Sequence, residues 1–207
     1  MNPAEITTGR QTRKRMSLVL LFTLFLSPLL LAILLFYMFP DWRPAGSSNH
    51  GQLVTPVRAL PSFEMETLAG EQIDETFLRG KWTLVYLLQG ACDKTCVEQL
   101  YNIRQVRLAQ GKNIDRLQRL LVWENGAVSR EDQAELQKYF PGQVIVPLTG
   151  QQAVVEVFSL DEQQPMAARR VYLVDPLGNL MMRYEPDDEP KGMIKDLERL
   201  LKYSGLG

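Results

Sequence analysis

The segment Leu87-Leu88-Gln89-Gly90-Ala91-Cys92-Asp93-Lys94-Thr95-Cys96 contains both cysteines of the chain and separates two hydrophobic patterns. Before it, Trp82 to Leu88 is a short run of apolar, aromatic and β-branched residues, which predicts a buried strand. After it, Val97 to Gln110 repeats apolar residues at helical spacing until Gly111 ends the pattern. The segment is therefore predicted to be the turn from a core strand into an amphipathic helix.

A strand that enters a helix through a turn with two cysteines is the arrangement of a thioredoxin-like domain. The N-terminus of a helix carries unpaired N–H groups and a partial positive charge, which lower the pKa of a nearby thiol. Lys94 is expected to add to this effect and Asp93 to offset part of it. Helical residues four apart have Cβ atoms about 5–6 Å apart, too far for a disulfide. Cys92 is therefore expected in the turn before the helix.

The composition argues against nucleic-acid binding and against a zinc site made of cysteine and histidine. The chain has 207 residues, 45% of them apolar, and a formal net charge of -1. The first 15 residues carry a net charge of +3, so the rest of the chain carries -4, and no basic stripe remains for nucleic acid. Two cysteines and one histidine, His50, cannot form a four-ligand zinc site made only of Cys and His in a single chain. The two cysteines can form one disulfide.

The N-terminal region predicts a membrane anchor. Met16 to Phe39 contains no charge, and as a helix it would extend about 36 Å, enough to cross a bilayer with some tilt. A cleaved signal peptide has a shorter apolar region, followed by small residues at the cleavage site. Here the bulky residues of 36–40 follow instead, which favours an uncleaved anchor.

The basic cluster precedes the anchor, so the positive-inside rule predicts a cytoplasmic N-terminus. We predict a basic cytoplasmic tail at 1–15, a transmembrane helix at 16–39, a linker at 40–52 and a thioredoxin-like domain at 53–207. The expected location is the bacterial inner membrane, crossed once, with the C-terminal domain in the periplasm, where disulfides form. His50 falls within the linker and is expected to be solvated.

The pattern in 53–207 predicts an α/β domain, with a central sheet covered by helices on both faces. Further strands are expected at Leu117–Trp123 and Val144–Val146, and helices from Ser129 to Phe140 and from Val154 to Phe158. Two short strands are predicted within Phe63–Ile73, a hairpin from Arg170–Val174 and Leu180–Tyr184, and a final amphipathic helix containing Met193 and Leu201.

Several segments together resemble the Sco/SenC family of membrane-anchored thioredoxin-like proteins, which are associated with assembly of the copper centre of cytochrome c oxidase. The resemblance is carried by the C-x-x-x-C of Cys92 and Cys96 and by three other segments, which are Gly80-Lys81-Trp82-Thr83-Leu84-Val85-Tyr86, Pro147-Leu148-Thr149-Gly150 and Tyr172-Leu173-Val174-Asp175-Pro176-Leu177-Gly178. It covers most of residues 60–203, and the single N-terminal anchor agrees with it.

The sequence departs from the family pattern at two places. The family usually has a histidine, a third copper ligand, at the position of Ala167, beside Met166. The Asp-Pro-rich segment that usually follows the second core strand is replaced by Trp123-Glu124-Asn125-Gly126. The resemblance implies that partners include the inner membrane and a cytochrome c oxidase subunit or another thiol or copper protein.

Four interpretations of the cysteine pair follow. A structural staple is disfavoured because a five-residue loop gains only about 2 kcal/mol in the chain-entropy model. Thiol–disulfide exchange, the activity of a thiol–disulfide oxidoreductase, needs only Cys92 as the attacking or attacked residue and Cys96 as the resolving one. A Cu(I) chaperone would bind copper through the same two sulfurs, with Met166, Met181 or Met182 as candidate thioether ligands. The fourth interpretation is a catalytically silent membrane scaffold.

Overall fold

The computed structural model of the chain describes residues 3–38, 49–124 and 130–205, with side chains at 15–38, 49–124 and 134–205. It divides into two compact units, Met1–Ser47 and Ser48–Gly207. Phe39, most of the expected linker and the Ser129 start of the predicted third helix lie outside the described residues.

The first unit contains one helix, α1 (Pro3–Met38). Its Arg15–Met38 portion has a mean hydropathy of 2.8 and no buried residue, so its length and composition suffice to cross a membrane once. Pro28 lies inside this helix. The predicted apolar helix is thus present and fits a single-pass membrane protein.

The second unit contains eight described strands and four described helices. The strands are β1 (Gln52–Ala59), β2 (Glu64–Glu66), β3 (Gln72–Asp74), β4 (Trp82–Gln89), β5 (Leu117–Glu124), β6 (Val144–Pro147), β7 (Val171–Val174) and β8 (Asn179–Tyr184). The helices are α2 (Lys94–Ala109), α3 (Arg130–Tyr139), α4 (Gln152–Val157) and α5 (Pro190–Tyr203), and short 3-10 turns occur at Glu75–Leu78 and Gly111–Arg116. The α/β fold class is confirmed.

Six strands form the central sheet in the order β1-β8-β7-β4-β5-β6. β4, β5 and β6 are parallel, whereas β7 is antiparallel to β4, β8 is antiparallel to β7, and β1 is antiparallel to β8. β2 and β3 form a separate two-stranded sheet. Because β7 is antiparallel to β4, its N-terminal end lies beside the carboxyl end of β4, where the cysteine turn begins.

The central strand β4 separates two core clusters. Leu84, Tyr86 and Leu88 belong to the cluster that includes Cys96 and residues of α2 and α5. The alternate residues, Val85 and Leu87, belong to a second cluster that includes residues of α4. Successive side chains of a strand point to opposite faces, so the two clusters lie on opposite faces of the sheet.

The chain enters the sheet through contacts that the sequence did not predict. The backbone N–H groups of His50 and Gly51 each donate to Asp196 at 2.9 Å, and the His50 Nδ1 atom lies 3.1 Å from the same carboxylate. Asp196, on α5, is almost fully buried and also accepts from the Tyr184 hydroxyl at 3.3 Å. The expectation that His50 is merely solvated is therefore wrong, because a buried carboxylate binds both its ring and its backbone.

Candidate functional site

The cysteine turn lies between the carboxyl end of β4 and the N-terminus of α2. Gly90 has φ of 80°, a left-handed conformation that favours glycine. Its carbonyl accepts from Trp123 Nε1 at 2.7 Å, and its N–H donates to the Glu124 carbonyl at 3.1 Å. These bonds attach the turn to β5, so the position of Cys92 is set by contacts outside the turn itself.

Cys92 and Cys96 are joined by a disulfide, with their Cα atoms 5.1 Å apart. Because α2 begins at Lys94, Cys92 precedes the helix and Cys96 lies in its first turn. Cys96 has no exposed surface, whereas Cys92 is half-buried. A thiolate from another molecule therefore has access to the sulfur of Cys92 rather than to that of Cys96.

Asp93 caps α2 and binds a distant arginine. Its Oδ1 atom accepts from the Cys96 backbone N–H at 3.0 Å and from Arg169 Nη1 at 2.6 Å. The bond from Arg169, and after it the Cys96 amide, lowers the pKa of Asp93 to about 2. The carboxylate that was expected to offset Lys94 is thus an N-cap, and its charge is compensated by Arg169.

Arg169 precedes β7 and comes from a part of the chain 76 residues away from Asp93. Its φ of 53° is the only positive value at a non-glycine residue within the described ranges. The role of Arg169 was not predicted from the sequence, because the resemblance to the Sco/SenC family pointed to Ala167 in the same loop. The sequence shows only a basic residue just before a strand, and the contact with Asp93 follows from the placement of that strand beside β4.

A buried phenol, that of Tyr86, is close enough to the ion pair to feel the charges of both its members. Tyr86 has no exposed surface, and its hydroxyl has no hydrogen-bond partner within the described part of the chain. Burial raises the pKa of Tyr86 to about 12, while the charges of Arg169 and Asp93 act on it in opposite directions. The phenol is therefore neutral at physiological pH.

A groove of about 1210 Å³ begins at Cys92 and runs between α2 and α3. Three of its lining side chains, Val97, Tyr101 and Tyr139, are about half exposed. Its charged lining residues are of both signs, namely Lys94, Glu98, Arg104 and Glu135. The half-buried Cys92 thus lines a surface groove together with residues of α2 and α3.

The candidate thioether ligands for copper lie on other elements than the cysteine turn, although Met182 shares the first core cluster with Cys96 and Met181 packs against it. Met166 is buried in the second core cluster, on the sheet face opposite that of Cys96. Met182 pairs with Leu173, which pairs with Leu84, five residues before the end of β4. Met181 is its neighbour on β8.

Ala167 has no side chain that could bind copper. His50 binds Asp196 beside β1, and the strands β8 and β7 separate β1 from β4, so His50 does not lie at the cysteine turn. Across the described ranges, no three His, Cys, Asp or Glu residues are grouped as a metal site would require. Among the described residues, the two sulfurs of Cys92 and Cys96 are therefore the candidate ligands for Cu(I) after reduction.

A family model described as "Transmembrane-like, thioredoxin-like, C-terminal domain" matches residues 82–204. The chain belongs to this family. The match begins with β4 and ends after α5, so it contains the cysteine turn and Arg169. No curated protein matches the sequence.

Solved structures share the fold at low sequence identity. Yeast Sco1 with copper bound has a TM-score of 0.58 at 18% identity, over 70% of this chain and 94% of that one. BsSco, a member of the Sco family of cytochrome c oxidase assembly proteins with a disulfide switch, has 0.55 at 13%, over 74% and 99%. A thiol:disulfide interchange protein from Bacteroides sp. has 0.52 at 15%, over 72% and 91%. The resemblance to Sco/SenC proteins is confirmed in the fold.

Proposed function

We propose that the chain is a membrane-anchored Sco/SenC-like protein that takes part in cytochrome c oxidase assembly by thiol–disulfide exchange at Cys92 and Cys96. One observation carries the exchange chemistry: a disulfide at a helix N-terminus has one half-buried sulfur facing a groove and one fully buried sulfur. The role in oxidase assembly rests on the fold shared with BsSco, whose family assembles cytochrome c oxidase.

The proposed reaction is an exchange of one disulfide for another. A partner thiolate attacks Cys92 Sγ, a mixed disulfide forms, and Cys96 leaves as a thiolate that the helix N-terminus stabilises. A second thiolate of the partner then attacks the partner sulfur of the mixed disulfide, which releases the partner's disulfide and the Cys92 thiolate. In the reverse direction, the Cys92 thiolate attacks the partner's disulfide, and Cys96 then attacks Cys92 Sγ in the mixed disulfide and releases the reduced partner. Two electrons pass between the proteins, and no metal is required.

A second candidate is Cu(I) transfer through the same two thiolates. It is supported by the copper bound to yeast Sco1, which shares this fold, and by the preference of Cu(I) for few, soft ligands. Two adjacent sulfurs at one helix N-terminus satisfy that preference after reduction. When bound, copper would be cargo held by Cys92 and Cys96.

Trapping experiments with the full-length protein in its host membrane separate these candidates. Cys96→Ser leaves Cys92 free to form a mixed disulfide that cannot be resolved, so it should accumulate a covalent complex, which a reducing agent releases. Cys92→Ser is the matched control and should form far less complex, because Cys96 is buried. Equal trapping by both variants, or by neither, would contradict exchange through Cys92.

A Cu(I) titration of the reduced full-length protein against a competing chelator tests the second candidate. One tightly bound ion, lost in Cys92→Ser, would support copper transfer. No binding, together with a measurable disulfide potential, would remove it. A pair that stays unreactive in both experiments would leave the scaffold interpretation.

We also propose that the domain faces the periplasm of a bacterial inner membrane, because the basic residues of 1–15 lie on the N-terminal side of the apolar helix. Protease added to spheroplasts should then digest the cysteine domain while the inner membrane is intact. Digestion only after that membrane is lysed would reverse the orientation.

A further inference from the structure

The loop before β7 holds Arg169 firmly against the cysteine turn. The next residue, Arg170, is buried and binds Asp161 at 2.8 Å and Glu185 at 2.7 Å through its guanidinium. Arg169 itself adopts φ of 53°, which costs energy at a non-glycine residue and persists only where surrounding contacts require it. The 2.6 Å contact with Asp93 is such a contact.

A single oxygen atom connects this arginine to the disulfide. Asp93 Oδ1 accepts both from Arg169 and from the backbone N–H of Cys96. The carboxylate of Asp93 therefore bridges the guanidinium of Arg169 and the backbone of Cys96, the residue whose sulfur leaves as a thiolate when the disulfide opens. Without Arg169, the uncompensated charge of Asp93 would lie beside that new negative charge.

We propose that Arg169 is a positioning residue for the exchange reaction, which acts through Asp93 to favour the reduced form of the Cys92–Cys96 pair. The inference rests on the proposed function. Arg169 neutralises the capping carboxylate without removing it, so α2 keeps its N-cap while the developing thiolate loses a repulsive neighbour. The Arg169 side chain does not need to contact either sulfur atom for this effect.

The test is equilibration of the full-length protein in detergent with glutathione at pH 8. The disulfide takes two electrons and two protons from two glutathione thiols, which leave joined as one glutathione disulfide. Arg169→Ala should lower the equilibrium constant for reduction threefold to tenfold, where tenfold corresponds to about 30 mV. Both partners of the ion pair are partly exposed, and solvent screening limits the effect to this range.

The direction in which each variant shifts the equilibrium constant for reduction distinguishes an electrostatic role of Arg169 from a structural one. Asp93→Asn keeps a good N-cap and removes the negative charge, so it should raise the same constant by a similar factor. The double variant should have an equilibrium constant for reduction close to that of the parent protein. The constant of Arg169→Lys should also stay close to the parent constant. Arg79→Ala is the matched control, since Arg79 binds the Leu177 carbonyl at the opposite end of β4.

Three outcomes bear on the inference. Opposite shifts for Arg169→Ala and Asp93→Asn, with no shift for Arg79→Ala, would support it. Unchanged constants, or shifts of the same sign in proteins whose circular dichroism is unaltered, would overturn it while leaving the proposed function intact. A pair that does not equilibrate with glutathione in any variant would overturn the proposed function and this inference with it.

Discussion

Reduction of the Cys92–Cys96 disulfide should lower the stability of the domain only slightly. The bond joins residues four positions apart, so it closes a loop of about five residues. In the chain-entropy model such a loop is worth about 2 kcal/mol of the free energy of unfolding. The Asp93 cap and the two bonds that attach Gly90 to β5 do not depend on the disulfide. The turn is therefore expected to remain folded after reduction.

This free energy corresponds to a measurable shift of the melting temperature. The unit Ser48–Gly207 has about 160 residues, and its entropy of unfolding is about 0.34 kcal/mol/K at typical values per residue. A loss of about 2 kcal/mol then lowers the melting temperature by about 6 °C. Tryptophan fluorescence is a suitable signal, because Trp82 and Trp123 are both buried in this unit.

The measurement compares thermal unfolding of the full-length protein in detergent with and without a reducing agent. The variant with both cysteines replaced by serine is the control, and the reducing agent should not shift its transition. A loss of more than about 15 °C, or loss of the cooperative transition, would correspond to about 5 kcal/mol. That result would mean that the bond is a structural staple, and it would refute the reasoning for a readily exchanged pair.

Three further predictions concern titration and stability. The pKa of Asp93 is lowered from 3.8 to about 2, so its stabilising contribution is complete above about pH 4 and is lost as the pH falls through about 2; a carboxyl pKa near 3.8 by NMR would contradict this. Arg119 is buried with two guanidinium nitrogens unpaired within the described residues. Since only its bond to the Pro141 carbonyl is lost, Arg119→Met should change the free energy of denaturant unfolding by no more than about 1 kcal/mol, whereas a loss above about 3 would refute it. Asp196→Ala should cost about 3 kcal/mol and Tyr184→Phe about 1 kcal/mol, because the first removes every hydrogen bond to a buried carboxylate and the second only one; equal losses by the same assay would refute this.

The sequence predicted the elements whose residues are buried in a regular pattern. β4 is buried at every position but its last, and the hairpin of β7 and β8 surrounds strong turn residues, so both were expected within a residue or two of their observed bounds. β1 was not predicted as a strand. Only its Val54 is buried, and Pro56 interrupts it, so neither alternation nor an apolar run marks this edge strand.

The candidate site was predictable only where it is local in sequence. The position of Cys92 before the helix followed from the four-residue spacing and is observed. The contact of Asp93 with Arg169 joins residues 76 positions apart, and no spacing rule reveals it. It depends on the antiparallel placement of β7 beside β4, which is a property of the sheet order.

The left-handed backbone at Arg169 has a consequence for engineering this protein. Glycine would relax a conformation that costs about 1 kcal/mol for a side-chain-bearing residue, and it would at the same time remove the ion pair with Asp93. Arg169→Gly therefore exchanges backbone strain for a lost ion pair, and a thermal screen reports only the sum of these two effects and not the redox state of the cysteines.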